Sequence, residues 1–125
     1  MKKLESVAWV LARDSKVLCV KTKGKDKYFI PGGKLEPGES HEAGLIREIK
    51  EELCVDLDPA TIKRAFSVCD VAYGFEDTTL EMHCYYADFM GEISTNSEIE
   101  SMDWLDLSQL ELCAPAAQKA ISKVL

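Results

Sequence analysis

The sequence has no long apolar run, no CxxC pair, no internal repeat and no excess of positive charge. A bilayer-spanning helix needs about 20 consecutive apolar residues, and no stretch here supplies them. The opening MKKLESVAWVLARDSK returns to charge too soon for a signal peptide, so the chain is expected to be cytoplasmic with no membrane partner. The five cysteines (Cys19, Cys54, Cys69, Cys84 and Cys113) are scattered, which suggests neither a zinc site nor a disulfide frame. Each stands among apolar residues, where a free thiol behaves as a small hydrophobe, so all five are expected to be structural. Histidine is scarce too: His41 and His83 have no patterned partner in sequence, and a structural role is expected for both. A net charge of −7 argues against a nucleic-acid polymer as partner.

What is present suits one compact domain over residues 1–125, with 46% hydrophobic and 30% charged residues. The charge is uneven. Residues 1–34 hold nine Lys/Arg against three Asp/Glu, while the remainder holds six against nineteen. A basic front and an acidic back suit a site for an anion together with a metal ion. VAWVLA and VLCVKT read as strands around the turn RDSK, and YFI as a short strand running into Pro31. PGGKLEPGE reads as a turn-rich loop. Ser40 is placed to cap a helix that runs to about Leu53, with Glu42 in its first turn. Two long strands follow around GFED, then a strand near IESMDWLDL and a helix started by Pro115. The pattern is that of a mixed α/β domain.

The first helix carries an awkward charge pattern. Ile46, Ile49 and Leu53 share one side, whereas Glu48, Glu51 and Glu52 crowd the other with Gly44 beneath them. Like charges at i, i+3 and i+4 cost roughly 0.2–0.5 kcal/mol per pair. Such a face is often merely solvated, but here it follows PGGK, which offers close backbone approach and a lysine. Clustered carboxylates on a rigid element are what Mg²⁺ or Mn²⁺ requires. Gly44 in mid-helix suggests that something approaches closely there.

The stretch GKLEPGESHEAGLIREIKEELCV resembles the Nudix hydrolases, whose signature is G-x5-E-x7-R-E-U-x-E-E-x-G-U with U aliphatic. Gly33, Glu39, Arg47, Glu48, Ile49, Glu51, Glu52 and Val55 occupy the matching positions, and Cys54 stands where the signature has its last glycine. A left-handed residue there would cost cysteine about 1–2 kcal/mol, unless the helix ends differently. The resemblance implies a Nudix-type α/β/α sandwich with a mixed β-sheet between helices, in a single Nudix hydrolase domain. It implies Mg²⁺ as cofactor, with Mn²⁺ able to substitute, and a small-molecule nucleotide as partner to a monomer or homodimer. Carried over by position, Glu48, Glu51, Glu52 and the Gly32 carbonyl would be the metal ligands. Arg47 would orient the acids, and the general base would come from the box or from a later loop, where Glu98, or else Glu100, is the candidate. Gly33, Lys34 and Glu39 would form the substrate side, Lys34 facing phosphate and Glu39 supporting the site from behind.

The implied reaction is hydrolysis of a nucleoside diphosphate linked to another group, with the short chain favouring a (d)NTP pyrophosphohydrolase of MutT-like kind. The asparagine with which MutT-type enzymes read an oxidised purine has no clear match near APAAQK, where Gln118 is the nearest amide. Tyr73 resembles the tyrosine of dinucleoside polyphosphate hydrolases. Dinucleoside polyphosphates, nucleotide sugars and a non-catalytic nucleotide sensor therefore stand as alternatives. Among the aromatics, Trp9, Phe66, Phe75, Tyr85 and Tyr86 fall on or near strands, where packing is the ordinary role and base stacking the exceptional one.

Overall fold

The computed structural model describes residues 2–125. In chain order the strands are β1 (Lys2–Trp9), β2 (Ala12–Arg13), β3 (Lys16–Thr22), β4 (Gly32–Lys34), β5 (Asp56–Leu57), β6 (Lys63–Val71), β7 (Thr78–Tyr86), β8 (Phe89–Met90) and β9 (Ile99–Leu105). Helix α1 (His41–Leu53) follows β4, and α2 (Pro115–Val124) closes the chain.

Period-two alternation decides the layering. Along β1, Val7 and Trp9 face one way and Ala8 the other; along β3, Leu18 and Val20 oppose Val17 and Cys19. Both strands are therefore buried on both faces, and each face has its own core. Leu45, Ile49 and Leu53 of α1 fill the first core, and Ala116, Ala117, Ala120 and Ile121 of α2 fill the second. The strands lie between the helices, in the α/β/α sandwich that the sequence led us to expect.

The main sheet has the order β4-β1-β7-β6, with β1 parallel to β7 and the other pairs antiparallel. A second sheet, β2-β3-β9, is antiparallel, and β5 pairs with β8. VAWVLA is divided between sheets: β1 stops at Trp9, and Ala12 starts the hairpin with β3. Asp14 and Ser15 turn that hairpin with φ of 51° and 61°, the primed turn that matches strand twist.

The stretch before α1 departs from the expectation. YFI is not a strand; Tyr28 and Phe29 make only isolated bridges, to Cys113 and Val20. The strand comes later, inside the expected loop, where Gly32–Lys34 pair antiparallel with Ser6–Ala8 of β1. Gly32 has φ +149°, and a Cβ there would run into the Val7 carbonyl oxygen. Only glycine lets this edge strand come so close.

Helix α1 starts and ends by distinct devices. The Ser40 Oγ accepts the Ala43 N–H at 3.1 Å. At the other end Cys54 takes the left-handed conformation, φ 62°, and its N–H donates to the Lys50 carbonyl at 3.2 Å. The helix thus ends as it would with glycine, but with a side chain in a region that disfavours one. Cys54→Gly is expected to stabilise the fold by about 0.5–1 kcal/mol, the strain relieved less the added chain entropy. Urea denaturation of both proteins checks this. Of the other cysteines, Cys19, Cys84 and Cys113 are buried as expected, whereas Cys69 is exposed on β6.

Candidate active site

The acidic face of α1 is not a solvated one. β4 lies across it, and the glycines of that strand make room for the carboxylates. The Gly32 N–H donates to Glu52 Oε1 at 3.2 Å. A Cβ on Gly33 would stand 2.5 and 2.7 Å from the two carboxylate oxygens of Glu48. Glu48 keeps only 16% of its side-chain surface exposed, against 57% for Glu51. Gly44 serves the same closeness one turn earlier. A Cβ there would meet Leu35 Cδ2 at 2.8 Å and Glu39 Oε1 at 3.0 Å, so the approach suspected from sequence is that of the chain's own loop.

Arg47 holds this arrangement together. Its Nε donates to Glu39 Oε2 at 2.8 Å, its Nη2 to Glu39 Oε1 at 2.9 Å, and its Nη1 to Glu48 Oε1 at 2.8 Å. Nη2 also reaches the Lys34 carbonyl at 3.3 Å, tying the loop to the helix. The fork geometry matches a carboxylate in a way that lysine could not. Hydrogen bonds from Arg47, helped by the Glu36 N–H, pull the Glu39 carboxyl down to about 2. Both Glu39 oxygens are thereby engaged, which makes it a positioning residue for Arg47 and leaves a direct substrate contact without support. Glu36 joins the cluster at 3.8 Å from Nη1, a contact that no sequence pattern marked.

Glu52 behaves in the opposite sense. Burial pushes its carboxyl up to about 8, with repulsion from Glu48, Glu51 and Glu98 adding to it against the Gly32 N–H. Such a carboxylate wants a cation beside it, and oxygen-only donors on a rigid helix suit a hard divalent ion. Glu98 thus reaches the acids electrostatically; its loop is pinned where the Asn96 N–H donates to the Glu52 carbonyl at 3.1 Å. Glu100 is exposed, beside the bulge that shifts the register between β3 and β9.

A cleft of about 300 Å³ opens beside these acids, lined in part by Gly32, Gly33, Lys34, Glu52, Tyr73 and Phe75. That is the lower end of the size that holds small ligands. Its far wall is apolar, and the Phe29 and Tyr73 rings stand 6.2 Å apart. Phe75 is half exposed at the rim, with Lys34 Nζ 4.9 Å from its ring centre. Trp9 is fully buried in the core, as the ordinary reading of strand aromatics has it. Phe29 entered the sequence reading only as part of the YFI strand, because its place in the cleft wall depends on contacts distant in sequence.

Gly33→Ala tests how far Glu48 depends on this closeness. The new methyl group must displace the Glu48 carboxylate from Arg47, so kcat is expected to fall by about tenfold or more. Steady-state kinetics with the stability of the variant measured alongside checks it.

The chain and its fold have counterparts among known proteins. Residues 2–124 match the family model described as NUDIX domain, and the chain belongs to that family. Over 60 residues it is 37% identical to the CTP pyrophosphohydrolase of Escherichia coli (strain K12), covering 45% of this chain and 44% of the relative. Over 124 residues it is 28% identical to the ADP-ribose pyrophosphatase of Methanocaldococcus jannaschii, covering 93% of this chain and 69% of the relative. The matches span 44% to 69% of the lengths of four such relatives. Among solved structures, a MutT NUDIX hydrolase from Burkholderia pseudomallei superposes with a TM-score of 0.83 at 23% identity, each chain covered in full. At that identity the likeness speaks for the fold. No helix among the described residues is long and apolar enough to cross a membrane.

Proposed function

We propose that this chain, acting as a single Nudix hydrolase domain, cleaves a phosphoric anhydride in a small nucleotide with the help of a divalent cation. Its substrate on this reading is a (d)NTP, released as NMP and pyrophosphate. The observation that carries the proposal is the junction of the α1 acids with the aromatic cleft through Gly32, Gly33 and Lys34. The relatives include a CTP pyrophosphohydrolase and an ADP-ribose pyrophosphatase, which agrees with anhydride chemistry on a nucleotide.

On this reading Glu48, Glu51, Glu52 and the Gly32 carbonyl hold Mg²⁺, with Mn²⁺ able to replace it. The ion supplies neutralisation of the phosphates and a lowered pKa for water. The remaining work falls to the chain. Arg47 fixes Glu48 in place and is itself fixed by Glu39. Lys34 faces the phosphates from β4, while Phe29, Tyr73 and Phe75 offer ring faces to the base. Glu98 adds negative charge that Glu52 feels and on this reading would take a proton from water. The full set of box acids favours catalysis over a sensor that binds without cleaving.

A panel of nucleotides with Mg²⁺, scored for nucleotide products by chromatography and for phosphate with and without added pyrophosphatase, tests this. Phosphate from (d)NTPs only when pyrophosphatase is present is the expected result. Faster turnover of ADP-ribose, a nucleotide sugar or a dinucleoside polyphosphate would reassign the substrate. Tight binding without turnover of any compound would favour the sensor.

A further inference from the structure

The two histidines dismissed singly by sequence meet in space. On β1 and β7 the residues facing α1 include Val7, Trp9 and Tyr85, so alternation brings Glu5, Glu81 and His83 to the same face. His41, the first residue of α1, lies over them. The His41 and His83 rings stack with centres 4.4 Å apart. His83 Nε2 is 3.2 Å from Glu5 Oε2, and one ligand atom from each of Glu5, His41 and His83 lies within 4.8 Å of the other two.

We propose that Glu5, His41 and His83 form a second metal site, for Zn²⁺ or an ion of similar affinity for imidazole, separate from the acids of α1. Independent of the catalytic reading, this inference rests on ligand type, spacing and backing. Zinc takes imidazole nitrogen and carboxylate oxygen at about 2.0–2.2 Å, so two tetrahedral ligand atoms stand about 3.3 Å apart. The Glu5–His83 pair already has that separation. Rotation of Glu5, half of whose side chain is exposed, and of His41 at the helix start closes the rest.

Both imidazoles have an outer partner on Nδ1. His41 Nδ1 stands 2.7 Å from the Tyr85 hydroxyl, and His83 Nδ1 stands 2.9 Å from Ser67 Oγ. Metal-ligating histidines use their second nitrogen in this way, donating it to an oxygen so that the other lone pair points at the ion. Ser67 is suited to accept, and it also takes a hydrogen bond from Arg64 at 2.9 Å. With Nδ1 turned to Ser67 Oγ, the His83 Nε2 beside Glu5 is the nitrogen left to hold an ion. Glu81, 3.9 Å from His83 Nε2, adds negative charge, although it is paired with Lys3 at 3.1 Å. The fourth position is left to water.

The site is distant from the α1 acids. Glu48 lies seven positions after His41 on the helix, an advance of about 10 Å along the axis. An ion there would tie the start of α1 to β1 and β7.

The test is a titration of metal-free full-length protein with Co²⁺ and with Zn²⁺, in excess Mg²⁺ to occupy the carboxylate site. One equivalent of Co²⁺ should give the strong visible absorption of a low-coordinate, nitrogen-ligated centre, and Zn²⁺ should displace it. His41→Ala, at a half-buried position, and Glu5→Gln, at an exposed one, should each weaken binding at least tenfold. Ser67→Ala, which removes only an outer partner, should weaken it about 10–100-fold. Zn²⁺ should also raise the Tm of the wild type and leave that of His41→Ala unmoved. As a check that needs no variant, Zn²⁺ should shift the imidazole nitrogen signals of His41 and His83. Absence of a bound equivalent, unmoved imidazole signals, or an affinity changed less than threefold in both His41→Ala and Glu5→Gln would overturn the proposal.

Discussion

Glu52→Gln should lower kcat by at least about a hundredfold, the scale of losing a principal catalytic group. The amide keeps the volume of the side chain and can still accept the Gly32 N–H, so the backbone of β4 has no reason to move. What it cannot do is carry negative charge into a half-buried site facing the cleft. Glu42→Gln is the matched control. Glu42 is an exposed residue of the first turn, away from the β4 side of the helix, and its loss should leave turnover near wild type. Steady-state kinetics of the two variants in Mg²⁺ separates charge at the site from charge on the helix. Near-normal turnover by Glu52→Gln would end the catalytic assignment.

Excess EDTA should abolish hydrolysis altogether, and activity in Mg²⁺ should have its optimum on the alkaline side. Without a cation, burial and three neighbouring carboxylates hold a proton on Glu52 up to about pH 8. The site then lacks both the Glu52 charge and the acidified water that the reaction needs. Addition of Mg²⁺ or Mn²⁺ to the stripped protein should restore the rate, measured as phosphate after pyrophosphatase. Full turnover in EDTA would rule the mechanism out.

Helix α1 was legible in sequence because its signals are local. The Ser40 cap, the period of Ile46, Ile49 and Leu53, and the spacing of the box all lie within one stretch of chain. The order of the later strands was legible for the same reason. β4 was not: two glycines and a lysine have no strand propensity, and its pairing with β1 depends on the absence of side chains rather than on their presence. Burial of Glu52 was equally hidden. The helix wheel registered repulsion worth a few tenths of a kcal/mol, whereas the larger effect comes from β4 and the Glu98 loop covering that face. The Glu5–His41–His83 cluster could not be read at all, because its members come from three elements and two of them are 78 residues apart.

The central claim is that the α1 acids exist to hold a divalent cation. Urea denaturation across pH, in EDTA and in Mg²⁺, on wild type and Glu52→Gln, tests it most directly. The unfolded chain releases the Glu52 proton near the ordinary carboxyl value of about 4.3, whereas the folded, metal-free chain keeps it to about 8. Between those values the folded state binds more protons, so wild-type stability in EDTA should fall as pH rises through this window, by up to a few kcal/mol. Above pH 8, Mg²⁺ should restore it by binding the folded state alone. Glu52→Gln should show a flatter pH dependence, equal or greater stability in EDTA, and little response to Mg²⁺. The same pH slope and the same gain from Mg²⁺ in both proteins would contradict the account.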